Sequence, residues 1–209
     1  MDKAQALILW FDQVSNDDVA LVGGKNASLG EMYRLLQPQG IRIPNGFIIT
    51  ARGYQDFILA SGLGDFIAKE LTGLDANNIK ALQSTGHRIR SAFLKYEFPP
   101  VLEQEIRVAY RNLSNAYNVP AVDTAVRSSA TAEDLPGASF AGEHETFLNV
   151  VGEERVLDAI RAAFASLFND RAISYRVDKG FAHDKISLSV GVQKMVRSDL
   201  GASGVMFTL

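Results

Sequence analysis

Between residues 122 and 150 the chain passes from a short apolar run, through a loop of small residues, into a second apolar alternation. The run ends at Ala125-Val126-Arg127, and the loop reads Ser128-Ser129-Ala130-Thr131-Ala132-Glu133-Asp134-Leu135-Pro136-Gly137-Ala138-Ser139-Phe140-Ala141-Gly142. Residues 122–127 and 146–150 have the composition of strands, so the segment reads as two strands joined by a loop. Small side chains let a backbone approach a polyphosphate, and N–H groups with Ser and Thr hydroxyls donate to its oxygens. Arg127 at the strand end presents a guanidinium fork that matches phosphate geometry. The same composition also suits a plain hairpin connection whose arginine pairs a surface carboxylate.

The chain has 209 residues, 47% apolar and 22% charged, with a net charge of −3. That balance describes a globular protein of one large domain or two small ones around a cleft. It gives no support to nucleic acid or a membrane surface as a partner. Cysteine is absent, so disulfides and thiolate metal sites are excluded. Residues 1–10 lack the apolar core and cleavage site of a secretory signal. No apolar stretch is long enough to span a bilayer. The expectation is a soluble, cytoplasmic protein.

The first half reads as largely helical. Residues 7–11 and 47–50 are short strands, and the second follows the turn Pro44-Asn45-Gly46. A helical pattern follows Gly23-Gly24, with Leu29, Met32, Leu35 and Leu36 on one face. Further helices are expected around Tyr54 to Leu59, over 79–94, and from Pro99-Pro100 to about Tyr117. The Gly- and Asp-punctuated stretch 62–78 reads as a break. In the second half, 153–168 is amphipathic, 170–175 is a short helix, and 186–196 and 203–209 are strand-like. The fold class is therefore α+β. Residues 1–120 form a largely helical lobe with short strands, and 121–209 a β-rich portion, with a cleft between them for a ligand. Residues 203–209 stop without a polar tail, so they read as a domain cut short or as a strand that closes a sheet. An interior strand cut there would leave an edge inviting another copy of the chain.

Chemistry-bearing residues are sparse. Lys25 follows Gly23-Gly24 at a helix start, where its ammonium reaches either an anion or solvent. No Walker motif is present. Gln193-Lys194-Met195-Val196 ends an alternating strand that either faces a purine, with Met195 on the ring, or simply packs. His87, His144 and His183 have no metal-ligand spacing, and there is no nucleophile elbow. Glu133, Asp134, Glu143 and Glu145 lie near the loop without forming an obvious magnesium pair.

Together, Val22-Gly23-Gly24-Lys25-Asn26-Ala27-Ser28-Leu29-Gly30-Glu31-Met32, Pro44-Asn45-Gly46-Phe47 and the segment from Val126 to Asp134 resemble the N-terminal part of the phosphoenolpyruvate synthase (pyruvate, water dikinase) family. The run from Ser166 to Arg176 and the stretch Gln193 to Asp199 extend the likeness. Pyruvate phosphate dikinases and rifampicin phosphotransferases share the architecture. The resemblance implies a truncated ATP-grasp-like nucleotide-binding domain of two lobes with a cleft. It also implies ATP contacts at Lys25 and Arg127 (phosphates), at Gly142 and Thr146, and along Gln193, Met195 and Val196 (adenine). The loop from Gly137 to Gly142 would close over the phosphates. No catalytic histidine is matched, and Mg²⁺ ligands are expected beyond Leu209. Pyruvate would be reached only through domains not present in these 209 residues, so the chain alone is expected to lack turnover. A non-catalytic interaction module is the alternative from another class.

Overall fold

The computed structural model describes residues 2–131, 145–181 and 186–207. Five strands make one sheet: β1 (Ile8–Trp10), β2 (Gly46–Ile49), β3 (Thr124–Ala130), β4 (Thr146–Val150) and β5 (Leu188–Lys194), in the order β1-β2-β5-β3-β4. Every neighbouring pair is antiparallel. The sheet takes β1 and β2 from residues 1–120 and the other three strands from 121–209. A mixed α+β fold with an open antiparallel sheet is thus the architecture.

Alternation along the strands divides the core in two. On one face Phe47, Ile49, Val126, Val190 and Val192 meet a layer of six helices. These are α2 (Ala51–Ser61), α3 (Leu63–Leu71), α4 (Ile79–Lys95), α5 (Pro100–Ala116), α6 (Glu153–Ala165) and α7 (Asp170–Lys179). Aromatic rings join that layer: Tyr54 meets Phe164 edge-on at 5.0 Å, and Phe57 lies 5.1 Å from Phe98. Such pairs prefer offset or edge-on geometry because the ring face is negative and its rim positive. Local signals start the helices. Thr50 accepts a bond from Gly53 N–H to cap α2, Asn78 accepts from Ala81 N–H to cap α4, and Pro100 opens α5.

The opposite face carries one helix, α1 (Val19–Leu36), over a smaller core of Leu9, Phe11, Val14, Val22, Ala27 and Ile48. The residues it buries are Val22, Gly23, Asn26, Ala27 and Gly30. The periodic residues Met32 and Leu35 lie exposed. Small residues won that face because α1 lies close: a Cβ on Gly30 would come within 2.2 Å of the Val14 side chain.

Two expectations need correction. The stretch after Gly62 is not a break but contains α3, which buries Leu63 and Ile67 one turn apart. The strand expected over 203–209 does not form across its described residues. Ser203 to Phe207 lies outside the sheet, with Phe207 88% exposed. Its alternation has no sheet face to meet, so pattern alone could not make a strand. Among the described residues no helix is long and apolar enough to cross a membrane.

Candidate functional site

Of the seven residues of β3, six are buried and one, Arg127, is exposed. The register explains why an opening forms there. Arg127 pairs with Gly191 on β5 and with Thr146 on β4. Gly191 offers no side chain, so the sheet surface beside Arg127 is bare backbone. A cavity of about 190 Å³ occupies the space, lined by Phe11, Lys25, Asn26, Leu29, Arg127, Gly191 and Gln193. Lys25 and Arg127, from distant parts of the sequence, thus share one cavity with the alkyl and aromatic walls of Leu29 and Phe11.

A break in α1 places Lys25. Gly23 has φ 72° and ψ 162°, which no helix contains, so the chain restarts its helix just before Lys25. The first turn of a helix carries amides without intrahelical partners and a positive dipole end. Only glycine suits Gly23. A Cβ there would meet Ser129 Oγ at 2.3 Å, and the left-handed φ would strain any other residue. Buried polar contacts then pin the restarted helix to the sheet. Asn26 Nδ2 donates to Ser189 Oγ (3.0 Å), whose single proton is shared between the carbonyls of Val22 and Ser129. A Cβ on Gly191 would lie 2.4 Å from Asn26 Oδ1, so that glycine lets Asn26 reach the sheet.

Gln193 lines the cavity but spends its amide on the protein. Its Oε1 accepts from Arg127 Nη2 (2.9 Å), and its Nε2 donates to the Pro44 carbonyl (3.0 Å). Met195 and Val196 lie beyond it in a second, open groove of about 670 Å³, walled by Ile41 to Pro44, Tyr117 and Lys194. The Met195 N–H already pairs with the Asp123 carbonyl (2.9 Å). In that groove Lys194 bonds Asp123 and lies 5.9 Å from the Tyr117 ring centre. Thr146 is exposed beside Arg127 in the register, yet borders the groove between β4 and α6 and not the Lys25 cavity. Gly137 and Gly142, with His144 and the acidic residues from Glu133 to Glu143, lie outside the described residues. So does His183, while His87 is exposed on α4. The structure therefore brings Lys25, Arg127 and Gln193 together, sets Met195 and Val196 next door, and leaves Thr146 in the separate groove between β4 and α6.

Sequence reasoning passed over Asn26 and Gly191. Their signals were present: a polar residue on the sheet-facing stripe of a helix, and a glycine interrupting a strand of otherwise larger residues. The cavity lining carries two cationic side chains and no carboxylate. That set suits an anion with several oxygens and does not fit a divalent cation. Among the described residues no group of three or more His, Asp or Glu is placed to hold a metal ion.

Residues 19–209 match the family described as pyruvate phosphate dikinase, AMP/ATP-binding domain. The chain belongs to that family. It is 57% identical over its whole length to phosphoenolpyruvate synthase of Aquifex aeolicus (strain VF5), of which it covers 24%. It is 51% identical to phosphoenolpyruvate synthase of Escherichia coli (strain K12), with 97% of this chain and 25% of that protein covered. A probable phosphoenolpyruvate synthase of Staphylothermus marinus is 48% identical across 99% of this chain and 24% of its own length. The chain spans about a quarter of the length of these curated relatives.

Proposed function

We propose that the Lys25–Arg127 cavity receives the phosphates of ATP and that the neighbouring groove along Met195 and Val196 receives the adenine. The observation that carries this reading is the meeting of two cations over a side-chain-free patch of sheet at Gly191. There a phosphate can approach backbone and guanidinium together. Lys25 supplies a point charge beside the first turn of a helix, and Arg127 supplies directed donors. Thr146, Gly137 and Gly142 are proposed to close the phosphate side. The arrangement is read as part of an ATP-grasp-like domain.

Within a longer parent the proposed activity is that of a phosphoenolpyruvate synthase. ATP gives its β-phosphoryl group by way of a histidine to pyruvate, and water takes the γ-phosphoryl group, so that AMP, phosphate and phosphoenolpyruvate are formed. Pyruvate and the histidine belong to segments outside residues 1–209. Since the cavity's lining does not fit Mg²⁺, its ligands are proposed to lie in those segments too, and no step here runs through the metal. In this reading Lys25 and Arg127 bind and orient the polyphosphate and offset its charge, while Leu29 and Phe11 keep water from one wall. Incubating the chain with ATP, Mg²⁺ and pyruvate tests the division of labour. The expectation is no AMP and no phosphoenolpyruvate, and sustained formation of both by pure protein would contradict it. The parent, assayed alike, should form both; a parent that phosphorylates a rifamycin instead would reassign the acceptor and keep the ATP site.

A further inference from the structure

We propose that Gln193 is a positioning residue for Arg127: its side-chain amide holds the guanidinium in place by tying it to the Pro44 segment. This rests on the reading of the cavity as a phosphate site. Arg127 is the exposed residue of an otherwise buried strand, and a long cationic side chain in that position has many rotamers to lose when it grips a ligand. Gln193 is only 5% exposed and limits those rotamers, because Arg127 Nη2 donates to its Oε1 (2.9 Å). The orientation of the amide is fixed by chemistry. Arginine can only donate and a carbonyl can only accept, so Oε1 must face Arg127 and Nε2 must face the Pro44 oxygen, 3.0 Å away.

The anchor is itself held. Asn45 N–H donates to the Tyr117 hydroxyl (2.8 Å), and Lys194 N–H donates to the Asn45 carbonyl (3.0 Å). A chain of bonds therefore runs from a tyrosine at the end of α5, through the 44–45 backbone and Gln193, to the guanidinium. Preorganisation of this kind raises affinity by lowering the ordering cost of binding, without adding a contact to the ligand. It assigns Gln193 a role different from a contact with the adenine ring.

Glutamate is the discriminating substitution. Gln193→Glu keeps the shape, but it sets a carboxylate against the Pro44 carbonyl and turns the Arg127 bond into an ion pair that competes with phosphate. Gln193→Met keeps the approximate size and removes both bonds, so it serves as the second variant if glutamate impairs folding. Two readouts are taken on the full chain: calorimetric titration with ATP and with adenosine, and nitrogen NMR of the Arg127 side chain without ligand. In the wild type the Arg127 Nε–Cζ rotation should be slowed, and in Gln193→Met it should be fast. ATP affinity should fall roughly tenfold in Gln193→Glu, the scale of a bond to a charged group, while adenosine affinity stays within about twofold. Gln193→Met should also weaken ATP binding, and in an Arg127→Ala background that effect of Gln193→Met should vanish. Equal losses for ATP and adenosine, an effect that survives Arg127→Ala, or unchanged Arg127 rotation in Gln193→Met would each overturn the inference. Failure of the cavity reading gives a different pattern: slowed Arg127 rotation in a wild type that binds no ATP.

Discussion

At the scale of single residues, the site depends on what is missing as much as on what is present. Gly191 leaves room for both the cavity floor and Asn26, whose Oδ1 would lie 2.4 Å from an added Cβ. Gly191→Ala is therefore expected to push Asn26 off Ser189 and to cost about 1–3 kcal/mol of stability, the usual scale for overpacking. Urea denaturation measures it, and Asn26→Ala in the same chain should restore part of the loss. If Gly191→Ala unfolds at the wild-type midpoint, the close contact is not under compression. That Lys25 and Arg127 line one cavity was not encoded in their own segments, where solvent or a surface carboxylate served as well as an anion, and only the family resemblance linked the two. Asn26 was not legible either, since one polar residue on a helix stripe reads equally well as a satisfied surface group until the partner strand is known. The roles of Gln193 and Met195 were legible only as a strand end. Which of them faces Arg127 depends on the pairing of β3 with β5, and no local pattern encodes that register.

At the scale of elements, local signals placed most helices and strands, and long-range packing decided the rest. Pro100 and the periodicity after Asn78 mark α5 and α4, whereas α3 was hidden because glycine and aspartate outweighed a short stripe of Leu63 and Ile67. The face that α1 turns to the sheet could not be read from its largest apolar residues, because close approach selects small ones. The entry to α1 carries its own electrostatic signature. Burial raises the Asp18 pKa, but the Lys3 ammonium and the Ser15 N–H, each 2.9 Å from Oδ2, outweigh it and leave the pKa below the ordinary value. A depressed folded-state pKa contributes stability above the unfolded value of about 3.9, and that stability is lost as pH falls through the folded one. Asp18→Ala should therefore cost about 0.5–2 kcal/mol near pH 7, the range for capping groups. The difference between wild type and variant should shrink as the pH falls below about 3.9 and the folded carboxylate is protonated. Denaturation midpoints along an acid series check it, and a difference that persists unchanged in acid would show that the charge is not responsible.

At the scale of the whole molecule, one sheet joins strands from both halves of the sequence, with the helical layer on one face and α1 with the cavity on the other. The α+β class followed from the order of patterns, but the strand order β1-β2-β5-β3-β4 did not, since β2 and β5 meet across most of the chain. The exposed Val205, Met206 and Phe207 add an apolar patch outside the sheet. We propose that concentration-dependent association, where it occurs, runs through these side chains and not through a strand edge. Light scattering should show Phe207→Lys to be more monomeric than the wild type, and identical profiles would remove that patch from consideration. The central claim is that Lys25 and Arg127 together hold the phosphates of ATP, and calorimetric titration of the chain with ATP tests it most directly. Lys25→Ala and Arg127→Ala should each cost about 1.5–3 kcal/mol of binding, the scale of a hydrogen bond to a charged group. Both variants should still unfold cooperatively, which shows that lost binding is not lost folding. ATP bound equally by the wild type and Arg127→Ala would contradict the account.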